Sequence, residues 1–388
     1  MFSAILNDTN STFMSNRKVT GGGACYMMSA AKAYFYSTKF IWNAASVVAG
    51  AIALTQNSFV FMQNTLVLAC SSDKGGIFAA SEKASLLIKD CNFTKNTANS
   101  GGILHALETY EASISFVSTI FVSNAGVDNL FNLMVSNVQI SDSFFNNNLN
   151  IVFSLIESGT SLKNVSIFNH KCNEFMVGCV ISSVQKSSMI CSNLHLKNVT
   201  NFKEEGNIYL EDSSSLFTNI SFENLDNFKN KGNCFDLKNS NISINNGSFS
   251  TYTYNCFYAL QSRVLINDSN FNNKEEFVLG IKYDTYIKYG AIFCQSCIEF
   301  TMQNSFILYN LKAFEGGALA FRSDLQEIVN LTVFLLNNSF VGNKARDSGG
   351  AISISNVNAN IKNCVFSNNE ASVGAGIYFE SLCKIKNI

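Results

Sequence analysis

Apolar and polar residues alternate along this chain with a period of two, in short runs that keep returning. In Ala351-Ile352-Ser353-Ile354-Ser355 and Ala318-Leu319-Ala320-Phe321 every second residue is large, which on a strand sends Ile352, Ile354, Leu319 and Phe321 to one face. The run Ala359-Asn360-Ile361-Lys362-Asn363-Cys364-Val365-Phe366 alternates as well. Helical spacing is sustained nowhere, and no apolar stretch reaches the roughly 18 residues of a membrane-spanning helix. The pattern predicts short strands joined by Asn, Ser and Gly turns.

Two landmarks give the runs a period. Glycine pairs precede an apolar run at Gly22-Gly23-Ala24-Cys25, Gly75-Gly76-Ile77-Phe78, Gly101-Gly102-Ile103-Leu104, Gly316-Gly317-Ala318-Leu319 and Gly349-Gly350-Ala351-Ile352, with looser copies such as Gly206-Asn207-Ile208 and Gly290-Ala291-Ile292. Gly75 to Gly101, Gly206 to Gly232 and Gly290 to Gly316 are each 26 residues apart. Phe-x-x-Asn recurs at Phe13/Asn16, Phe40/Asn43, Phe61/Asn64, Phe93/Asn96, Phe121/Asn124, Phe145/Asn148, Phe340/Asn343 and Phe366/Asn369; Phe168, Phe222, Phe249, Phe271 and Phe306 look like freer copies. Strands repeating every 26 residues or so describe the coils of a β-solenoid. In such a coil the glycine pair suits a tight bend, phenylalanine suits an interior column, and asparagine suits a corner where it takes the left-handed conformation and hydrogen-bonds the neighbouring coil.

The two landmarks together resemble the polymorphic membrane protein (Pmp) repeat, GGA[ILV] plus FxxN, of bacterial surface adhesins. The resemblance is best over residues 1 to 126 and 290 to 379 and implies a right-handed parallel β-helix of the pectin-lyase-like type in a surface or adhesive setting. The expected fold is therefore all-β, a single β-helix of about 15 coils running continuously from residue 1 to 388, with less regular coils over 127 to 289. Both ends stop within a repeat unit, so a piece of a longer polypeptide is expected.

Composition narrows the partners. Charged residues make up 14% of the chain and the formal net charge is -1, which gives no general grip on nucleic acid. Membrane attachment would have to come from an anchor outside this sequence. Eleven Asn-x-Ser/Thr sequons, including Asn164, Asn198, Asn246, Asn330 and Asn337, are what so asparagine-rich a chain yields by chance, and permit secretion without requiring it.

Twelve cysteines leave several options. Cys234 and Cys256 fall at one phase of adjacent coils, which suits either a disulfide or two small buried side chains. Cys172/Cys179 and Cys294/Cys297 are the other local pairs; Cys294-Gln295-Ser296-Cys297 has zinc-knuckle spacing but lacks a partner pair to complete four ligands. His105, His170 and His195 fall in different coils. Neither a metal site nor a cofactor motif is expected.

Stacked coils bring matched outward residues together. The outward column of the first strand holds His105, Tyr209, Asp236, Tyr258, Phe293 and Tyr378, in which Tyr209 and Tyr258 flank Asp236. That trio is the candidate ligand-facing column, although tyrosines also favour outer sheet faces without any ligand. The carboxylate pairs Glu204-Glu205, Glu211-Asp212 and Glu275-Glu276 are expected in solvated turns beside Lys203, Lys229 or Lys274. With no second carboxylate and no Arg or Lys in that column, the sequence points to a non-enzymatic cell-surface or secreted segment binding a protein or glycan. A polysaccharide lyase or glycoside hydrolase of the pectin-lyase-like fold is the alternative.

Overall fold

The computed structural model describes residues 4–18, 20–109, 112–172, 178–201, 206–227, 233–252, 255–273, 287–311, 313–323, 332–380 and 385–386. It is all-β, with no helix among the described residues, and the paired strands run parallel. Contacts divide the chain into two compact units, Met1–Thr200 and Asn201–Ile388.

Each unit is a parallel β-helix. The first carries seven described first-face rungs: Cys25–Met27, Ile52–Leu54, Phe78–Ser81, Leu104–Leu107, the ends of Ala125–Met134 and Leu149–Ile156, and Ile181–Val184. The second also carries seven: Ile208–Glu211, Phe235–Lys238, Phe257–Leu260, Ile292–Gln295, Leu319–Arg322, Ile352–Ser355 and Ile377–Glu380. The count falls just short of the expected 15 because some coils are longer than 26 residues, as between the paired residues Phe257 and Ile292.

One coil shows how the sequence builds a rung. After Gly75-Gly76 the first-face strand Phe78–Ser81 points Phe78 and Ala80 inward. Glu82 and Lys83 turn the chain at positive φ, and Ser85–Lys89 forms the second face with Leu86 and Ile88 inward. Asp90 turns it again, Asn92–Thr94 forms the third face with Phe93 inward, and Lys95 makes the next corner. Within the second unit the second and third faces merge into the long strands Ser214–Asn227 and Asn241–Tyr252.

The interior is built of like on like. Phe13 stacks on Phe40 at 4.9 Å, Phe121 on Phe145 at 4.3 Å, Phe249 on Phe271 at 4.6 Å and Phe340 on Phe366 at 5.1 Å between ring centroids. Full burial of a phenylalanine such as Phe121 or Phe145 stabilises by roughly 1.5–3 kcal/mol, and each ring pair adds about 0.5–1.5 kcal/mol; Phe13 and Phe366 are half-buried. Register corrects three of the expected landmarks. Phe61 lies half-buried on the second face, paired with Tyr34 and Leu87; the matching inward and corner residues of its coil are Val67 and Cys70. Phe168 and Phe306 also point outward, and Ile167 and Ile307 take the inward places.

The corner asparagine does not adopt the left-handed conformation that the sequence suggested. The residue before it does: Ser15, Trp42, Lys95, Ser123, Asn147 and Asn368 carry φ of 53–57°, and Gly342 has 66°. The asparagine itself is turned inward. Asn96, Asn124 and Asn148 are wholly buried. Asn124 Oδ1 accepts from both the backbone N–H and the Nδ2 of Asn96, at 3.0 and 2.9 Å, while Asn124 Nδ2 donates to Asn148 Oδ1 at 3.2 Å and to the carbonyl of Phe93 at 2.8 Å. A continuous amide ladder follows, with Cys70 standing in for one rung and Tyr252 closing the second unit's ladder by donating its hydroxyl to Asn310.

Glycine is required for two separate reasons. Gly75 has φ +68°, where a side chain is strained. Gly76 has ordinary φ, but a Cβ there would sit 2.2 Å from the carbonyl oxygen of Gly102 on the next rung. A Cβ added at Gly376 would meet nothing within 4 Å. Gly76→Ala is therefore expected to cost at least the 1–3 kcal/mol typical of overpacking, and Gly376→Ala under about 0.5 kcal/mol. Chemical denaturation of the two variants checks this; equal midpoints would show that the glycine column is not a packing requirement.

Candidate functional site

The outer surface of the first face in the second unit brings aromatic and charged groups into register. Strand alternation sends the second and fourth residues of each rung outward. Paired residues make two columns: Tyr209, Asp236, Tyr258, Phe293, Ala320, Ser353 and Tyr378 in one, and Glu211, Lys238, Leu260, Gln295, Arg322, Ser355 and Glu380 in the other. Tyr209, Asp236 and Tyr258 thus occupy matched positions on three successive rungs.

They do not all face solvent. Tyr209 and Tyr258 are half-exposed, but Asp236 is buried, at 8%. Asp236 Oδ2 accepts from the backbone N–H of Gly206 at 2.5 Å and its Oδ1 from Asn233 Nδ2 at 2.6 Å. The expectation of a ligand-facing carboxylate is corrected here: Asp236 braces the preceding bend.

A different carboxylate takes the exposed place. Glu211 was expected in a turn, yet it ends the strand Ile208–Glu211. Tyr209 donates its hydroxyl to Glu211 Oε2 at 2.9 Å, and Lys238 Nζ donates to Glu211 Oε1. The Lys238 hydrogen bond, then that of Tyr209, holds the Glu211 carboxyl below its ordinary value; Glu211 in turn raises Lys238. The group is therefore an ionised carboxylate with a phenol on one oxygen and an ammonium on the other. The sequence reading missed it because only the second residue of each strand was followed; the fourth residues, two places on, carry the same register. Glu204, Glu205, Glu275, Glu276, Lys203, Lys229 and Lys274 lie outside the described residues.

Further along, aromatic packing takes over. Tyr258 donates its hydroxyl to Gln295 Oε1 at 3.3 Å, and its ring lies 5.6 Å from Phe293. Tyr289 stacks on Phe293 at 3.7 Å, and the Tyr289 phenol raises Arg322 above its ordinary value. A cleft of about 260 Å³ elsewhere in this unit is a weaker candidate, because Lys344 is paired with Glu370 at 2.8 Å and Arg346 lies over the Phe314 ring.

The candidate cysteine pairs divide between one disulfide and buried thiols. Cys234 and Cys256 are buried thiols in contact, not a disulfide; burial pushes the Cys256 thiol well up, which leaves it a small apolar filler. The bonded pair is Cys172–Cys179, with Cα atoms 5.6 Å apart. Cys294 and Cys297 are likewise buried thiols in contact. His105 stands outward on the first face of the first unit, 3.2 Å from Asn132 Nδ2, and His195 meets the Phe168 ring edge-on.

No family model and no curated protein matches the chain. Among solved structures, two variants of the periplasmic alginate epimerase AlgG are similar. One has a TM-score of 0.31 and 7% identity, covering 93% of this chain and 77% of the other. The second has a TM-score of 0.24 and 6% identity, covering 93% and 78%. The parallel β-helix is read from this chain's own strand pairing, and the Pmp repeat identity is unconfirmed. Both neighbours are enzymes, so the expectation that this chain is not an enzyme is withdrawn; its chemistry has to be argued from its own residues.

Two outcomes follow from the site geometry. Asp236→Asn puts an amide N–H₂ where two donors already converge, and is expected to lower stability by about 1–3 kcal/mol in chemical denaturation; an unchanged midpoint would remove the bracing role. Glu211 has a depressed folded-state pKa. Its contribution to stability is therefore present above the unfolded value near 4.5 and fades as pH falls through the lower folded midpoint. By carboxyl NMR, Glu211 should titrate below 4.5 in the native chain and move upward in Lys238→Met.

Proposed function

We propose that this chain handles an acidic polysaccharide, laid along the outer first face of the second unit, and that the Tyr209–Glu211–Lys238 group is where a uronate residue is processed. The observation that carries this reading is the phenol of Tyr209 hydrogen-bonded to an ionised carboxylate beside a lysine, on an exposed face that offers a second tyrosine, Tyr258, two rungs away. Two rungs are about 10 Å, so the rings can serve successive parts of one extended glycan.

The chemistry suits proton abstraction next to a sugar carboxylate. Such a reaction needs a proton acceptor and a cation to hold the charge that develops on the substrate carboxylate. Lys238 supplies the cation and Tyr209, backed by Glu211, the proton-transfer group. Glycosidic hydrolysis is less well served, since it calls for two carboxylates in reach and Asp236 is turned into the wall. A lyase-type reaction is therefore the favoured alternative within polysaccharide chemistry. The Cys172–Cys179 disulfide supports an oxidising compartment, hence a secreted or cell-surface setting; the Pmp-like repeats agree with that placement.

The test uses polyuronates and neutral glycans of matched length, measuring binding by calorimetry and double-bond formation by ultraviolet absorbance. Polyuronate binding weakened at least about tenfold by Tyr258→Ala, with turnover lost in Tyr209→Phe, is expected. Equal affinity for neutral glycans, or turnover that survives Tyr209→Phe and Lys238→Met, would overturn the reading.

A further inference from the structure

The amide ladder of the first unit ends at a histidine. Phe145 pairs with Ile167 and Leu149 with Lys171, so His170 takes the corner next to Asn148. It follows Asn169, which has the positive φ of every residue before a ladder corner. His170 is wholly buried, and its Nε2 lies 2.5 Å from the backbone carbonyl oxygen of Asn150. A carbonyl can only accept, so Nε2 carries the proton and Nδ1 the lone pair. Nδ1 is buried without a hydrogen-bond partner. One imidazole nitrogen of His170 and the sulfurs of Cys172 and Cys179 all lie within 4.8 Å of one another, and all three residues are buried.

We propose that reduction of the Cys172–Cys179 disulfide turns His170, Cys172 and Cys179 into a binding site for a thiophilic d10 cation such as Zn²⁺. Two thiolates and an imidazole are the soft donor set that zinc prefers, and three protein ligands leave a fourth tetrahedral position for a small exogenous ligand. The carbonyl of Asn150 does what an outer partner of a ligating histidine does: it takes the N–H of Nε2 and fixes the ring, leaving the Nδ1 lone pair free to ligate.

The redox step balances with a small thiol as the reductant. One thiolate attacks a cystine sulfur, forming a mixed disulfide and expelling the other cysteine as thiolate; a second then releases the first cysteine and leaves as the oxidised dimer. Two electrons pass to the protein sulfurs. Cation binding then displaces one proton from each cysteine thiol.

The experiment titrates Zn²⁺ into the full chain, oxidised or held in a non-thiol phosphine reductant, and counts bound metal by native mass spectrometry. The buried thiols elsewhere in the chain are controlled for by Cys172→Ser/Cys179→Ser. Reduced protein should bind one Zn²⁺ more than that double variant and more than oxidised protein. Co²⁺ should give a thiolate-to-metal charge-transfer band, and His170→Gln should weaken binding by at least about tenfold. Reduced native chain matching the double variant, or a Co²⁺ spectrum without sulfur ligation, would overturn the proposal; the spectrum serves even where His170→Gln fails to fold.

Discussion

Everything in this protein is governed by one distance, the strand spacing of about 4.8 Å between rungs. A residue in one coil has its counterpart in the next as nearest neighbour, and the same counterpart on the other side. Apolar side chains accept this readily, since rings stack and methyls interdigitate, so the interior becomes columns of phenylalanine, isoleucine and leucine. Polar groups face a harder condition. A buried amide left without partners costs about 1–3 kcal/mol, as much as burial of a phenylalanine gains, and the cost would recur in every coil.

The corner ladder is how the chain meets that condition. Asparagine has two donors and an acceptor with two lone pairs, so one residue can take hydrogen bonds from the coil before it and give them to a carbonyl of that coil and to the amide of the coil after it. Asn124 does all of this. Serine and threonine run shorter ladders at the other corners, as where Thr119 donates its N–H to Ser143 Oγ. Outside, asparagines in the left-handed conformation chain Nδ2 to Oδ1 in the same manner, including the sequon residues Asn164, Asn198 and Asn337. These three sequons share one local arrangement: a left-handed Asn, an inward residue, then an outward Ser or Thr.

This constraint explains what could be read in advance. Parallel strands, the inward phenylalanines and the Tyr209–Asp236–Tyr258 column all follow from period two within a coil and about 26 residues between coils. The failures were of side-chain direction. Phe61-x-x-Asn64 satisfies the motif but sits on the wrong face, because the true corner of that coil is Cys70, which no motif would select. Asp236 has the right register, yet its carboxylate turns back to Gly206, a choice made by two hydrogen-bond donors brought close only when the bend forms. Cys172–Cys179 was bonded in preference to Cys234–Cys256 although both pairs are close, because register alone does not say where sulfurs point.

Columns also show how to weigh the outer face. Like charges stacked a rung apart repel by about 1 kcal/mol even in water, so a carboxylate on one rung favours a cation on the next whether or not anything binds there. The Glu211–Lys238 pair is, by itself, what stacking physics would produce on any solvated wall. The hydroxyl of Tyr209 is a different matter: it comes from the same rung as Glu211, two residues away. An interior column interrupted by a residue with unused capacity carries the same kind of information. His170 breaks the amide ladder: its Nδ1 is buried with no hydrogen-bond partner, and a ring nitrogen lies close to two sulfurs. In a structure made of repetition, chemistry is found where the repeat fails for a reason that stacking does not supply.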